Sequence, residues 1–283
     1  MNITINKTQW FSVFLKLWAF YELANALLSS VFIGEGAKLY GFSEWIKNPE
    51  TIYIFTLYAV TLFALAVLYY TASSNPARYA NIIWVLVAEQ AIGAAFAVAS
   101  LISGKNQLAP VLTGLGLQAA LIGVAFFLKP EQTAVEEELS AGGLRRLKWA
   151  RLFIGIWAGY ELVNALLASV FLSQGASLYG VEGWVANEYT RYAFYQYAMG
   201  MFVLAAAYTL IATDVVRYGK LLTLFAAEQG ATALTSVYLG SQQKLTTTQF
   251  ALLLVFQLAT VMLMIYLQPS RREMPPRIAE TKP

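Results

Sequence analysis

The amino-acid sequence predicts an all-α integral membrane protein in which eight transmembrane helices form two parallel-repeat four-helix bundles. Three observations lead to this fold class: the composition, the length of the apolar stretches and an internal repeat. Of the 283 residues, 58% are hydrophobic and only 12% are charged, whereas a soluble domain carries roughly a quarter charged residues. The chain is therefore expected to cross a lipid bilayer several times.

Eight stretches are long enough to cross a membrane as helices. A helix needs around 20 mostly apolar residues to cross a hydrocarbon core about 30 Å thick. The predicted spans lie near residues 11–33, 52–72, 79–102, 109–129, 150–172, 191–212, 218–240 and 248–268.

The distribution of basic residues predicts the orientation of these spans. Of the 19 Lys and Arg, 14 lie in the termini, the second-to-third and sixth-to-seventh connections and the central linker. The opposite side would carry Lys38, Lys47, Lys105, Arg191 and Lys244. Because basic residues are enriched in cytoplasmic loops, both termini are predicted to be cytoplasmic in a multi-pass protein of the cell membrane.

One basic run stands out at the start of the fifth span. Arg145, Arg146, Lys148 and Arg151 surround Trp149, which is typical of an anchor at the membrane interface. The run is compatible with a stop signal for the fifth span and with a specific lipid site.

The chain also contains an internal repeat. An offset of 139 residues aligns Trp18 with Trp157 and Trp45 with Trp184, and 18 of the 28 positions from 18 to 45 are identical to their counterparts. Each unit contains an even number of spans, so both copies enter the membrane from the same side, which predicts parallel repeats. The first spans, where identity is densest, are expected near the pseudo-two-fold axis or lining equivalent pockets.

The repeat also divides the chain. The boundary contains Pro130, three consecutive glutamates and Gly142-Gly143, which interrupt the apolar pattern. We predict a first repeat (1–130), a cytoplasmic linker (131–148), a second repeat (149–269) and a cytoplasmic tail (270–283). In each copy, a short helix or turn is expected between the first and second spans.

Polar side chains recur inside the predicted spans of both copies. A carboxylate at the bilayer centre costs roughly 2.5 kcal/mol or more, so these side chains should face the helix bundle and be paired or protonated. They could hydrogen-bond between helices as structural contacts, or line a cavity for a quinone, a lipid or sterol-like head group, or a pigment, or carry protons. The candidate binding residues are Glu22, Asn25, Glu89, Gln90, Gln118, Glu161, Asn164, Glu228, Gln229 and Gln257.

The composition also excludes several kinds of chemistry. The sequence has no Cys and no His, so disulfides, Fe–S clusters, thiolate metal sites, histidine-ligated haem or zinc, and Ser–His catalysis are not expected. No recognisable catalytic pair is present, which argues against an enzyme. The small net charge of +3 gives no indication of nucleic-acid binding.

Each unit resembles the DoxX-like group of small four-helix membrane proteins. The resemblance rests on Leu-Tyr-Gly at 39–41 and 178–180 between the first two helices, and on Asn75-Pro76-Ala77-Arg78-Tyr79 after the second. Some members of that group are similar to membrane subunits of quinone-linked sulfur oxidoreductases. The resemblance therefore implies quinone contact or an accessory role in a redox complex, but it identifies no functional residue.

The sequence thus predicts an integral membrane accessory or ligand-binding protein, with a subunit of a quinone- or pigment-linked energy-transducing complex as one form of that role. The alternative is a small-molecule or proton-coupled transporter. Such transporters often contain helices broken by Gly or Pro at the membrane midplane. No proline interrupts the middle of any of the eight predicted spans, which favours the first reading.

Overall fold

The computed structural model describes residues 6–39, 43–102, 108–133, 141–241 and 247–267, and these ranges contain helices but no strand. The helices are α1 (Lys7–Leu28), α2 (Ile33–Leu39), α3 (Pro49–Ser73), α4 (Ile83–Ile102), α5 (Leu108–Leu128), α6 (Ala141–Leu167), α7 (Leu172–Leu178), α8 (Glu188–Thr213), α9 (Val215–Tyr218), α10 (Thr223–Ser241) and α11 (Thr247–Leu267).

Six segments of the described residues are long and apolar enough to cross a membrane. They indicate a multi-pass membrane protein, so the predicted all-helical membrane class is confirmed at this level. Two further predicted spans, 218–240 and 248–268, coincide largely with α10 and α11, which are not among the six. The six segments are Lys7–Leu28, Pro49–Ser73, Ala80–Ile102, Val111–Leu128, Gly142–Leu167 and Glu188–Thr213.

The second long helix of each half begins at an asparagine cap. The side chain of Asn48 accepts a hydrogen bond from the backbone N–H of Glu50 (2.9 Å), and Asn187 accepts one from Tyr189 (2.8 Å). These bonds satisfy backbone donors that have no partner within the first helical turn. Pro49 at the first position of α3 adds a backbone angle that suits a helix start.

Helices α3 and α8 form the centre of the molecule. They pack against each other; in addition α1 packs on α3 and α6 on α8. In the apolar segments of α3 and α8, 56% of the residues are buried, compared with 11% in that of α5. Small residues on these helices, including Ala64 and Ala207 with no exposed surface, allow the backbones to approach closely.

The two halves share one core, whereas the sequence predicted two bundles. Helix α4 of the first half packs on α8 of the second, and α10 of the second half packs on α3 of the first. A single cluster of buried residues includes side chains from both halves, among them Leu65, Tyr69, Leu204 and Tyr208.

Residues that are 139 positions apart contact each other along α3 and α8. The hydroxyl oxygens of Thr51 and Thr190 are 2.8 Å apart, and both residues are fully buried. Beyond the ends of the same two helices, the rings of Tyr79 and Tyr218 lie 6.2 Å apart. These contacts lie on the second long helices and just beyond their ends, so α3 and α8 meet at the junction of the two halves.

Two aromatic contacts between the halves are also reciprocal. The ring of Trp45 meets that of Tyr192 edge to face at 4.6 Å, and the ring of Trp184 meets that of Tyr53 in the same way at 5.6 Å. Each pair joins the connection of one half to the central helix of the other. The offset of 139 residues converts one pair into the other.

The predicted short helix between the first two long helices is present in both halves. Helix α2 follows α1, and α7 follows α6. Gly36 and Gly175 lie so close to the ends of the preceding long helices that an added Cβ would overlap the carbonyl oxygens of Leu28 and Leu167. Glycine therefore allows each short helix to pack closely against the end of the helix before it.

Two arginines, Arg78 after α3 and Arg217 in α9, join the halves. Arg78 donates from Nε to the carbonyl oxygen of Arg217 and from Nη2 to that of Val216, each at 2.8 Å. Arg217 donates to the carbonyl oxygens of Arg78 (3.4 Å) and Thr133 (2.9 Å). These charged groups therefore satisfy backbone acceptors of the opposite half.

Candidate functional site

The structure brings the two predicted glutamates of the first half together. Glu22 lies on α1 with 3% of its surface exposed, and Glu89 lies on α4. Their carboxyl groups are within hydrogen-bonding reach of each other. Two carboxylates in close contact cannot readily both be ionised, so this arrangement suits a pair that shares one proton.

Three further donors surround the carboxyl group of Glu89. The hydroxyl of Tyr69 donates to Oε2 at 2.7 Å, and the side-chain amide of Gln90 donates to Oε1 at 3.1 Å. The indole N–H of Trp18 points at both oxygens, at 3.2 and 3.3 Å. Because these groups stabilise an acceptor, Glu89 is the better carboxylate and Glu22 the better acid of the pair.

The second half repeats this arrangement. Glu161 on α6 lies within hydrogen-bonding reach of Glu228 on α10. Glu228 accepts a hydrogen bond from the hydroxyl of Tyr208 and another from the amide of Gln229 at 3.0 Å. We refer to the Glu22–Glu89 and Glu161–Glu228 contacts as the first and second carboxyl pairs.

The two carboxyl pairs differ in their tryptophan. The indole of Trp18 donates to Glu89, whereas the buried indole N–H of Trp157 makes no hydrogen bond to a protein group, although it lies near Glu161 and Glu228. Both tryptophans therefore lie beside their carboxyl pair, and the indole of Trp18 makes the closer contact.

The predicted glutamines of the last helix in each half do not join the carboxyl pairs. Gln118 on α5 packs against α4 at Gly93, where an added Cβ would lie 2.9 Å from its Nε2 atom. Gln257 on α11 donates to the hydroxyl of Ser236 at 3.4 Å. The side-chain oxygens of both glutamines are buried and make no hydrogen bond to a protein group.

A cavity of about 210 Å3 lies near the first carboxyl pair, although neither glutamate lines it. Asn25, one helical turn after Glu22, lines it, and so does Tyr58, which is close enough to interact electrostatically with Glu22. Four aromatic rings form much of the wall, and Asn25, Ser29 and Gln196 add polar groups. The rings are those of Tyr21, Phe55, Tyr58 and Tyr192.

The equivalent region of the second half keeps the asparagine but lacks the glutamine of the cavity wall. Asn164, the counterpart of Asn25, accepts a hydrogen bond of 2.6 Å from the hydroxyl of Tyr179. Gln196 of the cavity wall has Leu57 as its counterpart in the repeat. The amide of Gln196 therefore contributes a polar group to the cavity that the repeat does not supply on the other side.

The groups around the carboxyl pairs are suited to hydrogen bonding and to holding a proton. Their donors are hydroxyl, indole and amide groups, and among the described residues no group of three or more His, Cys, Asp or Glu clusters in a way that could hold a metal. The protonated carboxyl can donate to a ligand or to its partner, and the ionised one can accept.

Sequence reasoning identified the glutamates, asparagines and glutamines. It missed the tyrosine and tryptophan donors beside the carboxyl pairs, and it missed the cavity wall. The repeat contained a signal for these donors, because Tyr69 is matched by Tyr208 and Trp18 by Trp157. Gln196 has an apolar counterpart and carried no such signal. Only the packing of α8 beside α3 brings it to the cavity.

Comparison with known proteins yields no relative of this chain. No protein-family model, curated protein or solved structure matches it.

Proposed function

We propose that this protein is an integral membrane ligand-binding protein whose site is the cavity beside the first carboxyl pair. The observation that carries the proposal is that two residues of the cavity wall lie close to Glu22: Asn25 one helical turn after it, and Tyr58, which interacts with it electrostatically. Ligand pockets are concave, mostly apolar and contain a few placed polar groups, and this cavity combines those features.

The cavity suits a small ring-containing molecule with hydrogen-bond acceptors. An apolar cavity of about 150 Å3 is large enough for benzene, and this one is about 210 Å3. Aromatic walls favour a flat ring, while the amides of Asn25 and Gln196 and the hydroxyl of Tyr58 can donate to carbonyl oxygens. A quinone head group has this chemistry, and a role beside a quinone-linked membrane complex agrees with the resemblance to the DoxX-like group.

Filling the cavity should release its occupant. We expect Ala37→Leu, at a buried position of the cavity wall, to reduce the amount of small molecule that co-purifies with the full chain in mild detergent. Mass spectrometry and absorption spectroscopy of the extracted material measure this amount.

A matched control is available in the second half. Ala176 is the repeat counterpart of Ala37 and is also buried, so Ala176→Leu introduces the same bulk away from the cavity. We expect this variant to retain the bound molecule. Equal retention by both variants would contradict the proposed site.

For the membrane topology of the chain, we propose eight spans built from two four-helix units, with both termini cytoplasmic. The reciprocal contacts of Thr51 with Thr190 and of Tyr79 with Tyr218 support a two-fold relation between the units. The 14-to-5 distribution of basic residues supports the orientation.

Reporter fusions can test this orientation. Each reporter is fused after residue 138 or after residue 275, and both positions should be cytoplasmic because each follows an even number of proposed spans. Green fluorescent protein should therefore fluoresce at both positions, and alkaline phosphatase should be inactive at both. Alkaline phosphatase and green fluorescent protein fusions distinguish the two sides. A periplasmic signal at either position would exclude the eight-span arrangement.

Proton-coupled transport is a second candidate, favoured by the paired carboxyl groups themselves. A site that needs only hydrogen bonds could use amides at both positions of a pair. Two adjacent carboxyl groups can in addition gain and lose a proton when a ligand enters.

A further inference from the structure

The start of α6 presents a cluster of cations above an exposed apolar surface. Arg145, Lys148 and Arg151 are exposed and Arg146 is half-buried. Within the following two turns, Leu152 and Ile156 remain exposed, at 53% and 64%. In a membrane protein, such apolar side chains face lipid tails, so the cations lie above lipid-facing surface.

Two open grooves flank this surface of α6. One, of about 560 Å3, contains Lys148 and Arg151 and is closed on the far side by α8 at Thr209 and Thr213. The other, of about 650 Å3, contains Arg145 and Arg146 and is closed by α11 at Leu263 and Tyr266. Leu152 and Ile156 line both grooves. Each groove therefore combines two cations with an apolar floor.

The cations and the apolar floor follow each other along α6. Arg145 and Arg151 are six residues apart, which corresponds to about 9 Å along a helix, and Leu152 and Ile156 extend the surface by about 6 Å more. With the cations at head-group level, the apolar floor enters the outer part of one leaflet, whose hydrocarbon depth is about 15 Å. The upper part of an acyl chain can lie along this floor.

We propose that these two grooves together bind one anionic phospholipid that carries two phosphates and several acyl chains. One phosphate lies between Lys148 and Arg151, and the other lies beside Arg145 and Arg146, with acyl chains in both grooves. Arginine binds phosphate oxygens through parallel N–H bonds, and basic pockets between transmembrane helices are suited to such head groups. Cardiolipin is the phospholipid with this chemistry.

The first half of the chain lacks most of this cluster. The counterparts of Arg145, Lys148 and Arg151 are Asn6, Gln9 and Ser12. Trp149 has the counterpart Trp10, and both are exposed. A tryptophan is enough to anchor a helix at the membrane interface, so anchoring does not explain three additional cations in the second half alone.

One cation of the cluster, Arg146, has a cationic counterpart in the first half that makes the same kind of contact. The guanidinium of Arg146 lies 5.3 Å from the centre of the Tyr266 ring, and the ammonium of its counterpart Lys7 lies 5.8 Å from that of Phe127. Each of these cations packs on an aromatic ring of the last helix in its half. The two halves therefore differ in charge at three positions, and we expect the three cations Arg145, Lys148 and Arg151 to give the second half its affinity for phosphate.

The test uses the full chain in neutral detergent with added lipid. We expect cardiolipin to raise the thermal unfolding midpoint of the unmodified protein, phosphatidylglycerol to do so only at higher phosphate concentration, and phosphatidylcholine to have little effect. The variant Arg145→Gln/Lys148→Gln/Arg151→Gln should need at least tenfold more cardiolipin for half of the effect. Each basic residue near an anionic head group is worth roughly a fivefold change in affinity.

The control variant changes basic residues of the first half. Lys7→Gln/Lys16→Gln should leave the cardiolipin response unchanged. If the triple variant does not fold, the single variants Lys148→Gln and Arg151→Gln provide the same test, with an expected weakening of about fivefold each.

Three results would overturn the proposal. One is an unchanged cardiolipin response in the triple variant. Another is equal potency of phosphatidylglycerol at matched phosphate concentration, which would exclude the two-phosphate lipid. The third is the absence of any cardiolipin effect on the unmodified protein, as expected if these cations instead pair with Glu136, Glu137 and Glu138 of the linker. None of these results bears on the cavity beside Glu22, so the proposed function is tested separately.

Discussion

We expect Glu89→Leu to lower the free energy of unfolding by about 2 to 4 kcal/mol, because leucine leaves several buried donors without an acceptor. The hydroxyl of Tyr69, the amide of Gln90 and the indole of Trp18 all donate to this carboxyl group. The Glu22 carboxyl loses its partner as well. Thermal and denaturant unfolding of the purified protein in mild detergent measure the change.

Tyr69→Phe and Glu228→Leu are the matched comparisons. Tyr69→Phe removes one donor and its hydrogen bond to Glu89 and should cost about 1 kcal/mol. Glu228→Leu disrupts the second carboxyl pair, where Tyr208 and Gln229 donate, and should be similarly damaging. A Glu89→Leu protein within about 0.5 kcal/mol of the unmodified protein would contradict a structural role for these hydrogen bonds.

Amide substitutions distinguish structure from proton chemistry. Glu22→Gln keeps the size and the donor capacity of a protonated acid, so we expect little change in stability and in bound-ligand content. Glu89→Gln should be less well tolerated, because the new amide nitrogen would face groups that already donate. A well-folded Glu22→Gln protein that had lost a transport or redox activity would favour the proton-coupled function over simple binding.

The repeat made both members of each carboxyl pair predictable from sequence, because buried acids recur at equivalent depths in the two copies. Glu22 and Glu89 were both identified as members of one polar interior, and the structure brings them into contact. Their partner Tyr69 was not identified, because a tyrosine in a membrane helix also fits ordinary packing. An isolated sequence does not indicate which of many aromatic residues aims its hydroxyl at an acid.

The joint core of the two halves was beyond the same reasoning. Apolar periodicity indicates where helices lie and which segments cross the membrane, but the choice between two bundles and one shared core depends on small residues at the contact of α3 and α8. Ala64 and Ala207 are among many alanines of the chain, and nothing in their spacing marks them as contact residues. The cavity could not be predicted from the sequence for the same reason, because Gln196 reaches it through the contact of α3 and α8.

Gly200 marks a close approach between α3 and α8. A Cβ added at Gly200 would overlap the side chain of Thr61, whose own Cβ would lie only 2.7 Å away. Thr61 is the repeat counterpart of Gly200, so the two residues are equivalent positions that meet each other. Where an exact two-fold axis would bring two threonines into collision, one copy has glycine.

We therefore expect Gly200→Thr alone to destabilise the protein by about 2 to 3 kcal/mol, because the extra atoms cannot be accommodated without moving a helix. Thr61→Gly alone should also destabilise, by roughly 1 to 2 kcal/mol, through lost packing and a more flexible backbone. Combining them exchanges the two residues across the contact and restores one threonine facing one glycine.

The exchanged double variant should come within about 1 kcal/mol of the unmodified protein, which requires a large coupling between the two sites. The hydroxyl of Thr61 donates to the carbonyl oxygen of Tyr58 at 2.7 Å, and the repeat counterpart of Tyr58 is Tyr197. A threonine introduced at position 200 thus finds the equivalent acceptor on α8. Unfolding midpoints of the two single variants and the double variant, measured together in one detergent, provide the comparison. Additive losses in the double variant would mean that the surroundings of the two positions are not related by a two-fold rotation, and the proposed relation between the halves would have to be abandoned.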